Sequence, residues 1–198
     1  MNILIACEYS GIVRDAFRAR GHNAISCDVL PSERPGPHIQ ADIKTVRLSG
    51  FDLLIAHPPC TRLCSSGAWT WATHQDEQEQ ALAFVVWLMS RPVARICIEN
   101  PVGAVGTRIR RPDQIIQPYQ FGHGEMKTTC LWLKNLPRLR ATNVVAGREQ
   151  RCWRMSPRAN RGLLRARTYP GIAAAMADQW GSLAADLLIS PSGQLVFF

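Results

Sequence analysis

The stretch Phe51-Asp52-Leu53-Leu54-Ile55-Ala56-His57-Pro58-Pro59-Cys60 decides how this chain is read. An apolar run that stops abruptly at two prolines predicts a buried strand over Phe51–Ala56. Proline fixes φ and offers no N–H, so the strand ends there and the next side chain is held at its tip. Cys60 is therefore expected at the carboxyl end of a strand. The pattern recurs on both sides. Asn2–Cys7 and Asn23–Val29 are short apolar strands, and Val93–Ile98 runs into Glu99-Asn100-Pro101. Between them, Ile12, Val13, Ala16 and Phe17 share one helical face, which Gly21 ends. Gln75–Arg91 has the acidic first turn of a helix (Asp76, Glu77, Glu79), with Pro92 just after it. Strands alternating with helices predict an α/β fold. The expected form is a single Rossmann-like, mostly parallel sheet with helices on both faces.

Further along, Gln114–Gln120 and Thr129–Lys134 are expected as two strands joined by a Gly122-His123-Gly124 turn. Pro31 to Pro37 is a loop, Pro170–Leu188 a helix, and Gln194–Phe198 a short added strand. The 198 residues, 46% hydrophobic, suit one domain spanning 1–198. No run approaches the ~20 apolar residues of a membrane span. Met1–Cys7 is too short and uncharged for a signal peptide, so a cytoplasmic protein is expected. The seven cysteines are scattered, and most sit in apolar runs, which predicts neither a disulfide framework nor a metal site.

The formal charge of +8 is unevenly spread. Between Arg138 and Arg167 there are nine arginines and one acid, Glu149, so this segment carries the whole net charge. Such a block is either a solvated loop or a nucleic-acid contact. Arginine over lysine favours bidentate contacts to phosphates and base edges.

Ligands of open α/β sheets bind at the carboxyl ends of the strands. Glu8-Tyr9-Ser10-Gly11, Asp28, Cys60 and Glu99 all fall there. Asp28 either accepts the hydrogen bonds of a ribose diol or simply starts a loop. A thiol at Cys60 facing a carboxyl at Glu99 is a working pair for attack on an electron-poor ring. Burial at a strand end is expected to raise the Glu99 pKa and keep it protonated.

These residues resemble the cytosine-5 DNA methyltransferase family. Pro58-Pro59-Cys60 resembles its Pro-Cys nucleophile motif, with Ser65-Ser66-Gly67 as the motif's tail. Glu99-Asn100-Pro101-Val102 resembles its Glu-Asn-Val motif. Phe121 to Lys127 resembles the Gly-Val-Pro-Gln-x-Arg region, and Tyr169-Pro170-Gly171-Ile172 takes the place of the final motif. The order is the family's, over about residues 1–188, in the manner of the short versions carried by phages and prophages.

The resemblance implies S-adenosylmethionine as methyl donor, DNA as partner, Cys60 as nucleophile toward carbon 6 of a flipped cytosine, and Glu99 as contact to ring nitrogen 3. It implies a cofactor site from Glu8, Tyr9, Ser10, Gly11, Asp28, Asp42 and Pro58. It implies substrate contacts from Arg62, Trp69, Asn100 and Lys127, and from Arg148, Arg151 and Arg154 in the basic segment. Trp69 and Trp71, after the nucleophile, either stack on bases or anchor their loop.

The chain departs from the family in four places, one being the missing asparagine of the final motif. Its first loop is poor in glycine. Glu125 and Thr129 replace a Gln and an Arg. The target-recognition domain shrinks to a basic insertion at about 136–168. Thirty-odd residues hold phosphates but read few bases, so loose specificity, a partner or a homodimer is expected. RNA, a free cytidine nucleotide, or binding without catalysis are the alternatives.

Overall fold

Short apolar strands with period-two side chains build one sheet of seven strands: β1 (Asn2–Ala6), β2 (Asn23–Asp28), β3 (His38–Gln40), β4 (Leu53–Ala56), β5 (Arg95–Pro101), β6 (Gln114–Ile116) and β7 (Thr129–Lys134). Their spatial order is β3-β2-β1-β4-β5-β7-β6. All pairings from β3 to β5 are parallel, whereas β7 runs antiparallel to both β5 and β6. The helices are α1 (Ile12–Arg18), α2 (Gln75–Met89), α3 (Arg151–Arg154), α4 (Arg161–Ala166) and α5 (Pro170–Gly181). The computed structural model describes residues 1–157 and 159–183. The expected strand Gln194–Phe198 and the end of the expected helix Pro170–Leu188 lie outside them.

Alternation along each strand sorts side chains to two faces. Ile3, Ile5, Leu53 and Ile55 pack with α1 and α5, through Phe17, Met176 and Trp180. Leu4, Ala6, Leu54 and Ala56 pack with α2, through Leu82, Val85 and Leu88. The α/β architecture with helices on both faces is therefore present. Among the described residues, no helix is long and apolar enough to cross a membrane.

The chain moves outward from β1 to β2 and β3, then returns to β4 on the other side of β1. That reversal opens a crevice above the carboxyl ends of β1 and β4, the usual ligand position in such sheets. It is the edge to which the Cys60 strand points.

One expectation needs correction, and one strand was not anticipated. The expectation concerns Gln114–Gln120, which is not one strand. Pro118 lacks the N–H a strand would donate, and residues Pro118–Gln120 form a 3-10 turn that Gln117 and Gln120 cap reciprocally. The β6–β7 connection is thus a long loop, with Gly122 at φ 86 inside it, not a tight turn. The unanticipated strand is β3. Only three residues long and at the sheet edge, it has no apolar run to announce it.

One buried cation fixes the loop beside Asp28. Arg14 is fully buried, and its guanidinium donates to Asp15 (2.8 Å), Ser26 (3.2 Å), Ser32 (3.1 Å) and the Pro35 carbonyl (3.0 Å). It lies directly against Gly11, whose φ of 69 lets the chain turn into α1 without a side chain in the way. Replacing Arg14 by Met removes these bonds, of whose acceptors Ser26 alone is buried. The expected cost is about 1–3 kcal/mol, a fall in Tm of roughly 2–12 °C in a calorimetric scan.

Candidate active site

The parallel pairing of Ala56 with Ile98 brings the exits of β4 and β5 side by side. His57 and Glu99 leave at the same edge, and His57 Nδ1 lies 2.9 Å from Glu99 Oε2. Both side chains are largely shielded, 8% and 14% exposed. One position on, Asn100 Nδ2 donates to the Pro58 carbonyl at 2.8 Å. The two loops remain joined beyond that point. Ser65 N donates to the Val102 carbonyl (2.9 Å) and Ala104 N to the Leu63 carbonyl (2.7 Å). At Gly103 a Cβ would sit 1.8 Å from the Leu63 carbonyl oxygen, so only glycine permits this approach.

Cys60 stands at the turn of the first loop, its carbonyl accepting from Leu63 N and Cys64 N. The residue itself is exposed. Surrounding protein still shields its sulfur enough to push the thiol pKa up, and Cys64 and Glu99 push the same way. Lys127 and Arg165 oppose them with positive charge but do not win. Cys60 therefore rests as a thiol at neutral pH, inside the electrostatic reach of Glu99.

Glu99 overturns the expectation of a protonated acid. Burial pushes its pKa up, but the His57 hydrogen bond and charge, helped by Lys127, outweigh burial and hold it below the ordinary range. In the free protein this carboxyl is ionised. The partner of Glu99 that the sequence did not reveal is His57, which stands directly before the two prolines.

A cavity of 260 Å³ opens over the ends of β1 and β2, with Asp28, Asp42, Ile43, Pro59 and Phe84 among its lining residues. One carboxyl oxygen of Asp28 accepts from Leu30 N, and one of Asp42 from Lys44 N, each at 2.9 Å. These bonds fix both acids at the rim of a slot walled by Val29, Ile43 and Phe84. A carboxylate pair with apolar walls suits a nucleoside: a ribose diol donates to one acid, and an exocyclic amine to the other.

The other expected cofactor residues are employed elsewhere. Glu8 is buried and accepts from Val13 N (2.6 Å) and Arg14 N (3.2 Å), holding the start of α1. Ser10 is buried beside it, and its hydroxyl donates to Glu8 at 3.3 Å. Tyr9 donates its hydroxyl to the Leu163 carbonyl, which ties the first loop to α4. Gly11 supplies the turn. Pro58 is buried, and Pro59 rather than Pro58 lines the cavity.

The expected substrate residues divide in the same way. Trp69 is 85% exposed, whereas Trp71 packs on the core, so Trp71 is the anchor of that loop and Trp69 its free indole. Arg62 pairs with Glu77 at 2.7 Å. Asn100 is buried and positions the Cys60 loop. Lys127 Nζ donates to the carbonyls of Arg165 (2.7 Å) and Arg167 (3.3 Å), stapling the basic segment to the sheet while its charge reaches Cys60 and Glu99. Arg148 stacks on Tyr119 and donates to two carbonyls. Arg151 pairs with Glu149 and, more distantly, Glu125. Arg154 is exposed.

Arg165 was not anticipated. It is half-buried and lines a second cavity of 310 Å³, together with Lys127, Arg151, Arg167 and Tyr169. Its charge reaches Cys60. Only the folded path of the basic segment, bridged to the 121–125 loop at Asn143 and Glu149, brings it there.

No family model matches the sequence, and comparison with curated proteins finds no match.

Cys60 is the exposed thiol at this edge, and its raised pKa fixes how it reacts. Its alkylation by iodoacetamide is expected to accelerate with pH and still be rising at the ordinary thiol value of 9.0. Peptide mapping across a pH series checks this. A rate already level near neutrality contradicts it.

Proposed function

We propose that this protein transfers a methyl group from S-adenosylmethionine to carbon 5 of cytosine in DNA. The observation that carries the proposal is the placement of Cys60 and Glu99 at the exits of neighbouring parallel strands, close enough for the charge of Glu99 to act on the Cys60 thiol. The sheet order, with β7 reversed between β5 and β6, is compatible with the methyltransferase type of Rossmann-like sheet. The cavity at Asp28 and Asp42 fits the adenosine half of the donor, by the chemistry of its acids and apolar walls.

In this reading the donor supplies an electrophilic methyl group next to the Cys60 edge. The chain does the rest. The Cys60 thiol gives its proton to water and its sulfur bonds to carbon 6 of the ring. Glu99 faces ring nitrogen 3 and stabilises the enamine that results. Carbon 5 becomes nucleophilic, gains the methyl group and loses its proton to water; the bond from sulfur to carbon 6 then breaks and the sulfur is reprotonated from water. Lys127 and Arg165 place positive charge where the adduct accumulates electron density. The base must leave its stack to reach Cys60, and the exposed indole of Trp69 can occupy the gap.

One observation favours a second, smaller acceptor. Arg148 and Arg151 already bond within the protein, so fewer arginines meet phosphate than the composition suggests. A single strand or a free cytidine nucleotide needs fewer such contacts than a duplex.

The test supplies labelled S-adenosylmethionine with duplex DNA, single-stranded DNA, RNA or dCMP, followed by nucleoside analysis. Label in 5-methylcytosine from DNA is expected, abolished in Cys60→Ser. Label in none of the four acceptors overturns the reading, and label in dCMP alone selects the smaller acceptor. Asp28→Ala is expected to weaken donor binding about 10- to 100-fold by calorimetry. Unchanged affinity would remove the nucleoside from the Asp28 cavity.

A further inference from the structure

The geometry points to His57 as a positioning residue for Glu99, forming with it one unit that holds the proton the target ring takes up. This inference rests on the methyl-transfer reading above and adds a residue to it.

The argument starts from an imbalance. Ring nitrogen 3 of cytosine is a hydrogen-bond acceptor. An ionised carboxylate only accepts, so it cannot satisfy that nitrogen by itself. Glu99 is held ionised in the free protein by its neighbour. The proton must therefore come from the neighbour.

His57 is built for this. Its backbone N–H donates to the Ala6 carbonyl at 3.0 Å, which fixes the residue at the β4 exit. Its imidazole is largely shielded, and Nδ1 meets Glu99 Oε2 at 2.9 Å. The other nitrogen, Nε2, is buried with no hydrogen-bond partner. Four charged or titratable groups bear on the pair. Glu99 on β5 and Glu8 after β1 interact with the ring itself, Lys127 ahead of β7 acts on Glu99, and Glu99 acts on Cys60. Glu8 is occupied by the N–H groups of Val13 and Arg14. Lys127 gives its ammonium to two carbonyls. Of these four, Glu99 is the one in hydrogen-bond contact with the imidazole.

The proton balance closes with water. The pair carries one dissociable proton along the hydrogen bond between His57 Nδ1 and Glu99 Oε2, and Cys60 gives its thiol proton to water. As the sulfur bonds to carbon 6, nitrogen 3 takes the pair's proton across the carboxyl. When the carbon 5 proton leaves to water and the sulfur departs, nitrogen 3 returns its proton to the pair and the thiolate is reprotonated from water.

The test is His57→Gln, which keeps a hydrogen bond to Glu99 but carries no proton. Its kcat is expected to fall about 100-fold or more, with KM for DNA nearly unchanged. Its pH optimum is expected to move to lower pH, because Glu99 must then be protonated from solvent. A purely structural role would not move the optimum. Wild-type kcat with an unmoved pH profile overturns the inference. A second measurement covers a variant that fails to fold: ¹⁵N NMR of the His57 ring in wild type and in Glu99→Gln. A ring that titrates identically in both overturns the pairing without any appeal to catalysis. Wild-type protein that methylates no acceptor sinks the methyl-transfer reading itself, a result distinct from either of these.

Discussion

The clasp between the exits of β4 and β5 is the constraint on which the site depends. The two strands are fixed by ladder hydrogen bonds deep in the sheet, but a ladder ends where the strands end. Past that point, His57–Glu99, Asn100–Pro58 and the Gly103–Leu63 approach continue the attachment. Each uses a different kind of force: a charged hydrogen bond, a buried amide bond and a steric fit. Together they turn two irregular segments into one rigid platform, and the sulfur of Cys60 stands on it. A nucleophile on a free loop would give up the orientation that makes such chemistry fast.

The platform also explains the electrostatics. A carboxyl shielded as Glu99 is would ordinarily take a proton and stay neutral. The imidazole beside it reverses that outcome. Cys60 feels the resulting negative charge and stays a thiol at rest, with Lys127 and Arg165 as the opposing cations. The resting site is therefore balanced rather than activated. In this account an incoming ring, not the free protein, sets the protons moving.

Much of this was legible in the sequence. The run Leu53–Ala56 with its two prolines located a strand tip, because apolar length and proline chemistry are local properties. Asp28 was placed correctly at the end of β2 for the same reason. What the sequence did not reveal depends on contacts between distant segments. Glu8 had the position of a cofactor residue, yet it turns inward to hold α1. Arg165 lies in a run of similar arginines, and only the Lys127 staple and the tie between Tyr9 and Leu163 show which one approaches Cys60. The state of Glu99 was misjudged because its partner, His57, is 42 positions away in sequence.

The basic segment is more engaged with the protein than its composition suggests. Glu33, Glu125 and Glu149 each pair with one of its arginines. Its fold depends on the same loops that border the two cavities, so the first loop and the basic segment are mechanically one unit.

The most direct measurement of the central claim is covalent trapping. Fluorine at carbon 5 of cytosine cannot leave as a cation, so an adduct methylated there cannot resolve. Incubation with S-adenosylmethionine and an oligonucleotide containing 5-fluorocytosine, followed by peptide mass spectrometry, is predicted to give one stable adduct on the peptide carrying Cys60. No adduct, or an adduct on another cysteine, would contradict the account.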